Sequence, residues 1–188
     1  KRLLFGHQRL SILDLSVEGN QPMISSSGRF VIIFNGEIYN HLTIRDSFSN
    51  KSWRGTSDTE ILLEAMEKWG IEKSVKKIEG MFAFVVLDKK NNKLTLVRDR
   101  LGEKPLYYGW SNDSLIFGSE IKSLRRHPGF DPQLNFESAG LYFRYGYIPG
   151  EETIYSAIKK VVPGQMVSFN LKSANYKQSE TSIYWQLS

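Results

Sequence analysis

The stretch from Phe30 to Asn40 constrains the fold of this chain more than any other. Five consecutive apolar residues, 30–34, are mostly β-branched or aromatic, which predicts a strand that is buried on both faces. The run stops at Asn35-Gly36, and an acid, Glu37, follows directly. A side-chain amide, a glycine N–H and a carboxylate therefore stand together at the end of a rigid strand. Two donors beside an acid are what an oxyanion hole next to an amine-binding group requires.

The same Asn-Gly pair has a second interpretation. Asn-Gly is the strongest short signal for a hairpin turn, and glycine allows the chain to bend sharply at Gly36. The residues that follow do not alternate like a returning strand, because Ile38 and Leu42 are spaced like neighbours on a helical turn. Both interpretations, an ordinary turn and a functional site, stay open from these residues alone.

Composition narrows the class of protein. The 188 residues suit one domain with a full core, and 40% hydrophobic with 13% aromatic residues indicate a globular chain. No apolar run is long enough for a membrane helix, and no signal peptide follows the basic start. We therefore expect a cytoplasmic protein that does not associate with membranes.

The charge distribution and the absence of a typical metal-binding pattern argue against nucleic-acid and metal sites. The net charge of +5 is spread over small clusters, whereas a nucleic-acid site concentrates basic residues on one element. The absence of cysteine excludes disulfides, thiolate metal sites and a cysteine nucleophile within this chain. The three histidines show no metal-binding spacing. We predict no metal site and no nucleic-acid partner.

Hydrophobic periodicity predicts a sheet core covered by helices. Tight turns join several neighbouring strands, so the pairing is predicted to be antiparallel. Ser57 and Glu60 form a capping box that starts a helix ending at Gly70. The other predicted strands are 3–5 continuing through 10–13, 81–87, 94–97, 106–110, 115–117 and 165–171; the other predicted helices are 71–79, 120–126, 136–145 and 154–160.

Two further charged residues are candidates for a binding site. Arg9 lies among apolar residues, so it forms either a buried ion pair or a fork for an anion. Asp58 lies in the first turn of the capped helix, where the helix dipole alone would explain a carboxylate. The functional alternative is that Arg9 grips a carboxylate while Glu37 and Asp58 grip an ammonium. That combination would clamp a free amino acid.

Seven motifs, taken in order, carry a family resemblance. They are GHQRLSILD at 6–14, QPM at 21–23, FNGEIYN at 34–40, GTSDTE at 55–60, GMFAF at 80–84, RDRLGEKPLYY at 98–108 and GSEIK at 118–122. With these motifs nearly the whole chain resembles the glutaminase half of glutamine-dependent asparagine synthetases, which are class II (N-terminal nucleophile) glutamine amidotransferases. The resemblance implies an α+β fold, a four-layer αββα sandwich of antiparallel sheets.

The resemblance also implies roles for single residues in a glutamine pocket. Arg9 would bind the α-carboxylate of L-glutamine, and Glu37 and Asp58 would bind its α-ammonium. Asn35 and the Gly36 N–H would form the oxyanion hole. Backbone groups of Ile12 and Leu13 would line the pocket.

The chain departs from the family pattern at both ends. In the family a cysteine at the mature N-terminus is the nucleophile, and no cysteine exists here. The chain begins inside the family pattern, without the first strand, so we expect it to be catalytically incompetent and to self-associate through an exposed sheet edge. We assign 1–171 to a truncated glutamine amidotransferase type-2 domain and 172–188 to a linker toward an absent synthetase domain. ATP and Mg²⁺ would belong to that absent domain, and we expect no cofactor in this chain.

Three hypotheses for the function remain. The parent protein would release ammonia from glutamine for ATP-dependent amidation of aspartate, as asparagine synthetases do. Alternatively, the same domain would serve a sugar-acid amidotransferase of surface-polysaccharide synthesis. The third hypothesis is a non-catalytic interaction module that lacks cysteine by nature.

Overall fold

The strand β2 (Phe30–Ile38) is the centre of the fold. In this computed structural model, which describes residues 3–10, 13–49 and 51–187, the predicted run 30–34 forms the first part of β2. Phe30 and Ile32 are fully buried, whereas Val31 and Ile33 are half-buried, because successive side chains point to opposite faces. The strand pairs antiparallel with β3 (Gly80–Asp88) along its whole length.

Two antiparallel sheets form the interior of a sandwich. The other strands are β1 (Met23–Ile24), β4 (Lys93–Arg98), β5 (Tyr107–Ser111), β6 (Ser114–Gly118), β7 (Ile158–Lys160), β8 (Gln165–Asn170) and β9 (Ser179–Ile183). The larger sheet has the order β1-β2-β3-β4-β8-β9, and the smaller has the order β6-β5-β7. All pairings between these named strands are antiparallel, as the tight turns predicted.

Helices cover the sheets on the outside. They are α1 (His41–Asp46), α2 (Asp58–Trp69), α3 (Ile71–Lys77), α4 (Ile121–Leu124) and α5 (Phe136–Tyr145), with a short 3-10 helix at Val17–Gly19. The first three pack on the larger sheet, and α4 lies on the outer side of the smaller sheet, against β6. The predicted α+β sandwich is thus confirmed. Within the described part of the chain, no helix is long and apolar enough to cross a membrane.

Each face of the larger sheet has its own hydrophobic cluster. Toward the helices, the rings of Phe34, Phe82 and Phe84 lie 5.8–6.3 Å apart. Between the two sheets, the Phe169 ring meets the ring of Trp110 edge to face, with 5.9 Å between centroids. The two clusters pack against opposite faces of β2, β3 and β4. Because this packing is dense on both faces, we expect the end of β2 to be rigid.

The start of α2 agrees with the prediction except in one bond. The Ser57 hydroxyl accepts a hydrogen bond from the Thr59 N–H at 3.2 Å, so Ser57 is the N-cap. The predicted return bond from Glu60 to Ser57 is wrong, because the Glu60 carboxylate accepts the N–H groups of residues 54 and 55 at 3.0 and 3.1 Å. Glu60 therefore fixes the loop before α2 rather than the cap itself.

Asn35 and Gly36 do not form a turn. The hairpin interpretation and the predicted end of the strand are wrong, because β2 continues through both residues to Ile38. Gly36 has a φ of +150°, and a Cβ there would press on the Met81 carbonyl oxygen and lie 2.6 Å from the Phe82 Cα. Glycine at this position lets β2 and β3 approach closely just beside the candidate site.

Two predicted elements near the ends of the smaller sheet are absent. The predicted strand at 3–5 is irregular, although Phe5 packs against Phe117 with 5.9 Å between ring centroids. Its predicted continuation includes residues 11 and 12, which lie outside the described residues. The predicted helix at 154–160 is a turn followed by β7, because residues 158–160 pair with β5. Tertiary pairing overrides the helix-like spacing of apolar residues there.

The segment 172–188, predicted to be a linker, contains β9. This strand pairs with β8 over five residues and lies at one edge of the larger sheet. Most of its side chains are exposed, so the sequence carries no apolar alternation to signal a strand. The larger sheet therefore continues beyond residue 171, where the sequence predicted the domain to end.

Replacing Gly36 by alanine should destabilise the fold strongly. The new Cβ would collide with the β3 backbone, and the positive φ would add strain, so we expect a loss of roughly 2–4 kcal/mol in the free energy of unfolding. Gly28→Ala is the matched control, because Gly28 also has a positive φ (+76°) but open space around an added Cβ. Its expected loss is about 1 kcal/mol. Urea denaturation measures both, and equal losses would contradict the close approach of the strands.

Candidate functional site

A cleft of about 950 Å³ opens at the end of β2. It lies between that strand, the smaller sheet, the N-terminus of α2 and the irregular segment 3–10. The predicted site residues that line it are Arg9, Leu13, Asn35, Gly36, Glu37 and Asp58. The remaining one, Ile12, lies outside the described residues. The structure therefore brings together along one cleft residues that are spread over fifty positions of the sequence.

The edge of β2 beside this cleft has no full-length neighbouring strand. β1 pairs with β2 over two residues only, at Val31 and Ile32. At Phe34 the side chain of Gln21 takes the place of a strand. Its Oε1 accepts the Phe34 N–H at 2.5 Å, and its Nε2 donates to the Phe34 carbonyl at 3.1 Å. A glutamine side chain thus anchors the loop before β1 to the end of β2.

The Gly36 N–H lies between two backbone groups that already have partners. On the same edge, the Ile38 N–H donates to the Asp58 carboxylate at 2.9 Å. Backbone groups of a strand alternate between its two edges, so those of residues 34, 36 and 38 point the same way. Since Phe34 and Ile38 bind side chains on this edge, the Gly36 N–H faces the cleft between them. A backbone N–H in this position can donate a hydrogen bond to a group bound in the cleft.

The Asn35 side chain is oriented by a residue far away in sequence. Its Nδ2 donates to the Ser119 Oγ at 3.1 Å, which connects β2 to the residue that follows β6. The amide nitrogen carries two N–H groups, so one bond to Ser119 leaves the second for a ligand in the cleft. Asn35 and Gly36 therefore present two donors at neighbouring positions.

Arg9 enters the cleft from the irregular segment 3–10. Its guanidinium donates to the Ser16 carbonyl at 2.8 Å and to the Asp14 carbonyl. These two bonds hold the planar group in place and use two of its five N–H donors. Beside it, burial and the positive charge of Arg9 lower the pKa of His7, so His7 is neutral at ordinary pH. Arg9 is thus a fixed cation at this wall of the cleft.

Asp58 and Glu37 supply negative charge at another wall. Asp58 is only 6% exposed, and burial raises the pKa of its carboxyl group despite bonds from the Ile38 N–H and Thr59. A positively charged ligand group beside it would lower that pKa again. Glu37 is half-buried and follows Asn35 and Gly36 directly. An arginine, two acids and two N–H donors can bind the charged ends and the amide of one amino acid.

Sequence reasoning gave no role to Gln21, Ser119 or Asp14, although all three lie in the quoted motifs. Each acts through a side-chain bond to a partner distant in sequence, such as the Asp14 bond to the Thr56 N–H at 2.9 Å. No local pattern reveals such a partner. Among residues 3–10, 13–49 and 51–187, no group of three His, Cys, Asp or Glu side chains could hold a metal ion.

Comparison with known proteins identifies the family. The family model for the glutamine amidotransferase domain matches residues 1–185. The chain belongs to the glutamine amidotransferase domain family. This amidotransferase domain is also similar to solved structures of low sequence identity. The glutamine phosphoribosylpyrophosphate amidotransferase from B. subtilis has a TM-score of 0.67 at 17% identity, covering 96% of this chain and 34% of that one. That likeness confirms the predicted fold.

Curated relatives of this amidotransferase domain are asparagine synthetases. The asparagine synthetase [glutamine-hydrolyzing] 2 of Bacillus subtilis is 38% identical over 191 residues, which is 97% of this chain and 24% of that protein. The asparagine synthetase [glutamine-hydrolyzing] 3 of the same organism is 37% identical over 180 residues, covering 92% of this chain and 29% of that protein. The chain thus spans less than a third of the length of these two relatives.

Stability measured against pH tests the environment of Asp58. Because its native pKa is raised, the contribution of Asp58 to wild-type stability should fall as pH rises from the usual carboxyl range through the raised pKa. Asp58→Asn removes this ionisation and keeps an oxygen for the Ile38 N–H. We therefore expect the variant to gain stability relative to wild type between pH 4 and pH 7 in urea denaturation.

Asp88→Asn is the control with the opposite sign. Burial alone would raise the pKa of Asp88, but bonds from Arg29 and Asn91 outweigh it, so the pKa is lowered. Wild type gains stability from Asp88 as pH rises from the lowered pKa to the usual carboxyl range at about pH 4, so this variant should lose stability relative to wild type over that lower interval and change little above it. Slopes of the same sign in both variants would contradict the assignment for Asp58.

Proposed function

We propose that the cleft at the end of β2 binds L-glutamine and that this domain is the glutaminase part of an asparagine synthetase-type amidotransferase. The observation that carries the proposal is the arrangement of Arg9, Asn35, Glu37 and Asp58 along one cleft in a member of this family. The relatives whose names include glutamine hydrolysis support the choice of substrate.

In this proposal each end of glutamine has its own partners. Arg9 binds the α-carboxylate through N–H donors that Asp14 and Ser16 do not use. Glu37 and Asp58 bind the α-ammonium, and Leu13 lines the pocket. The raised pKa of Asp58 supports this role, because a cation bound beside the buried carboxylate would stabilise its charged form.

The side-chain amide of glutamine would lie against the oxyanion hole. When a nucleophile attacks this amide, negative charge develops on its oxygen. The second Nδ2 hydrogen of Asn35 and the Gly36 N–H would stabilise that charge. Ser119 and the β3 backbone hold both donors in place before the ligand arrives, so little reorganisation is needed.

Hydrolysis itself requires a nucleophile that this chain lacks. The family resemblance implies a cysteine thiol whose thioester intermediate is cleaved by water. With no cysteine in the sequence, we propose that the chain as given binds but does not hydrolyse glutamine. We propose that no hydroxyl group of the cleft replaces the thiolate, because serine is a weak nucleophile unless a base activates it.

The remaining parts of the reaction would lie outside this chain. We propose a cytoplasmic parent protein whose synthetase domain uses ATP and Mg²⁺ to activate aspartate for amidation by ammonia. In this proposal the chain itself binds neither ATP nor Mg²⁺. The glutamine cleft does not distinguish between acceptors of the ammonia, because an enzyme that amidates a sugar acid would need the same cleft as one that amidates aspartate.

Isothermal titration calorimetry with L-glutamine tests the pocket. We expect weak binding to wild type, and loss of about tenfold or more in affinity for Arg9→Ala and for Asp58→Ala, because each removes a charge-assisted bond. Arg29→Ala is the matched control, since Arg29 pairs with Asp88 at the opposite end of β2. Wild-type affinity in Arg9→Ala and Asp58→Ala would contradict the pocket assignment.

A glutaminase assay tests the absence of hydrolysis. Glutamate and ammonia release from L-glutamine should stay at the buffer rate at every protein concentration, because no thiol is present to form the thioester. The measurement is ammonia release after removal of contaminating glutaminases by a second purification step. A rate that scales with the concentration of this chain and disappears in Asn35→Ala would show that another group acts as nucleophile.

Light scattering tests the proposed self-association. In the described residues the smaller sheet ends at β6, and two aromatic side chains of α5, Phe136 and Phe143, are 81% and 87% exposed. An open strand edge and apolar surface favour association between copies. We expect the molar mass to rise with concentration, and Phe143→Ser to weaken this rise. A constant monomer mass at high concentration would contradict self-association.

A further inference from the structure

Asp14 is a buried carboxylate that the proposed pocket does not use. It is 6% exposed, and its Oδ1 accepts the Ser16 N–H at 2.8 Å and the Ser16 hydroxyl at 2.6 Å. Its Oδ2 accepts the Thr56 N–H at 2.9 Å. These hydrogen bonds, the one from the Ser16 hydroxyl first, lower the pKa of Asp14 to about 2. The carboxylate is therefore charged across the ordinary pH range.

The partners of Asp14 adjoin residues at two walls of the cleft. Ser16, together with the Asp14 carbonyl itself, holds the guanidinium of Arg9. Thr56 stands two residues before Asp58, in the loop that leads into α2. One side chain thus connects the loop that carries the cation with the loop that carries the buried acid.

Two glycines leave room for this connection. A Cβ at Gly55 would press on the Asp14 Oδ2, and a Cβ at Gly19 would occupy the place of the Arg9 guanidinium. The chain therefore passes close to both charged groups where only a glycine fits. The close fit fixes the distance between the loops, since neither can move without breaking bonds to Asp14 or Arg9.

We propose that Asp14 is a positioning residue of the amino-acid clamp. Its carboxylate joins the loop that holds Arg9 to the loop that precedes Asp58, and so sets the spacing between the carboxylate-binding and ammonium-binding ends. This inference rests on the proposed glutamine site. Although Asp14 lines the cleft, in this proposal it does not bind the ligand and acts through Arg9 and the start of α2.

Asp14→Asn is the variant that tests the proposal, with Asp88→Asn as its control. Asparagine has one acceptor oxygen and cannot serve Ser16 and Thr56 together, so we expect the affinity for L-glutamine to fall about tenfold. Asp88 is a similarly buried carboxylate that accepts the N–H groups of Lys90 and Asn91, but it lies at the opposite end of β2. Asp88→Asn should leave glutamine affinity unchanged, whatever it does to stability.

A second readout does not require a ligand. The guanidinium N–H signals of Arg9, assigned by comparison with Arg9→Ala, should be sharp in ¹⁵N NMR spectra of wild type because two carbonyls hold the group. They should broaden in Asp14→Asn and persist in Asp88→Asn.

If Asp14→Asn does not fold, Ser16→Ala replaces it as the test variant. Ser16→Ala removes one partner of Asp14 and should lower the affinity for L-glutamine about threefold.

The outcomes separate the two proposals. Loss of affinity and broadened Arg9 signals in Asp14→Asn alone support the positioning role. Wild-type affinity in Asp14→Asn, or equal losses in Asp14→Asn and Asp88→Asn, overturns it. If wild type itself binds no glutamine, the proposed function fails, and the Arg9 signals alone then decide: unchanged signals in Asp14→Asn overturn the role of Asp14, and broadened ones support it.

Discussion

The candidate site depends on the one edge of β2 that β1 leaves without a partner. β2 pairs with β3 over nine residues but with β1 over only two. Beyond that point the unpaired backbone groups of β2 would be exposed or buried without bonds, which is costly. Gln21 bonds to the N–H and the carbonyl of Phe34, and Asp58 accepts the Ile38 N–H. In our proposal the Gly36 N–H between them binds the ligand. In the proposed site, an incomplete strand pairing thus becomes a binding feature.

Two buried aspartates beside this edge show how the fold assigns different roles to one side-chain type. Asp14 accepts three hydrogen bonds, so its charged form is strongly favoured and it can act as a permanent structural anion. At Asp58 the cost of burying the charge outweighs the bonds from the Ile38 N–H and Thr59, so its charged form is disfavoured until a cation approaches. The permanent charge of Asp14 is suited to connecting two loops. The carboxyl group of Asp58, whose charged form is disfavoured without a cation, is suited to binding an ammonium group.

The sequence predicts those features that depend on residue type and spacing alone. The apolar run of β2, the Ser57 cap of α2 and the charged candidates Arg9, Glu37 and Asp58 were all predicted from residue type and spacing. Tertiary contacts decided the rest. β7 and β9 form because a neighbouring strand offers its backbone, and Asn35-Gly36 stays extended because β3 continues beside it. Ser119 orients Asn35 across 84 positions of sequence, which no local pattern can show.

The most direct test of the central claim, that one cleft holds both charged ends of an amino acid, is a crystal structure of the chain with L-glutamine. We predict the α-carboxylate against the Arg9 guanidinium, the α-ammonium between Glu37 and Asp58, and the side-chain amide oxygen within hydrogen-bond distance of the Gly36 N–H. Glutamine bound elsewhere, or bound in this cleft with its carboxylate directed away from Arg9, would contradict the claim.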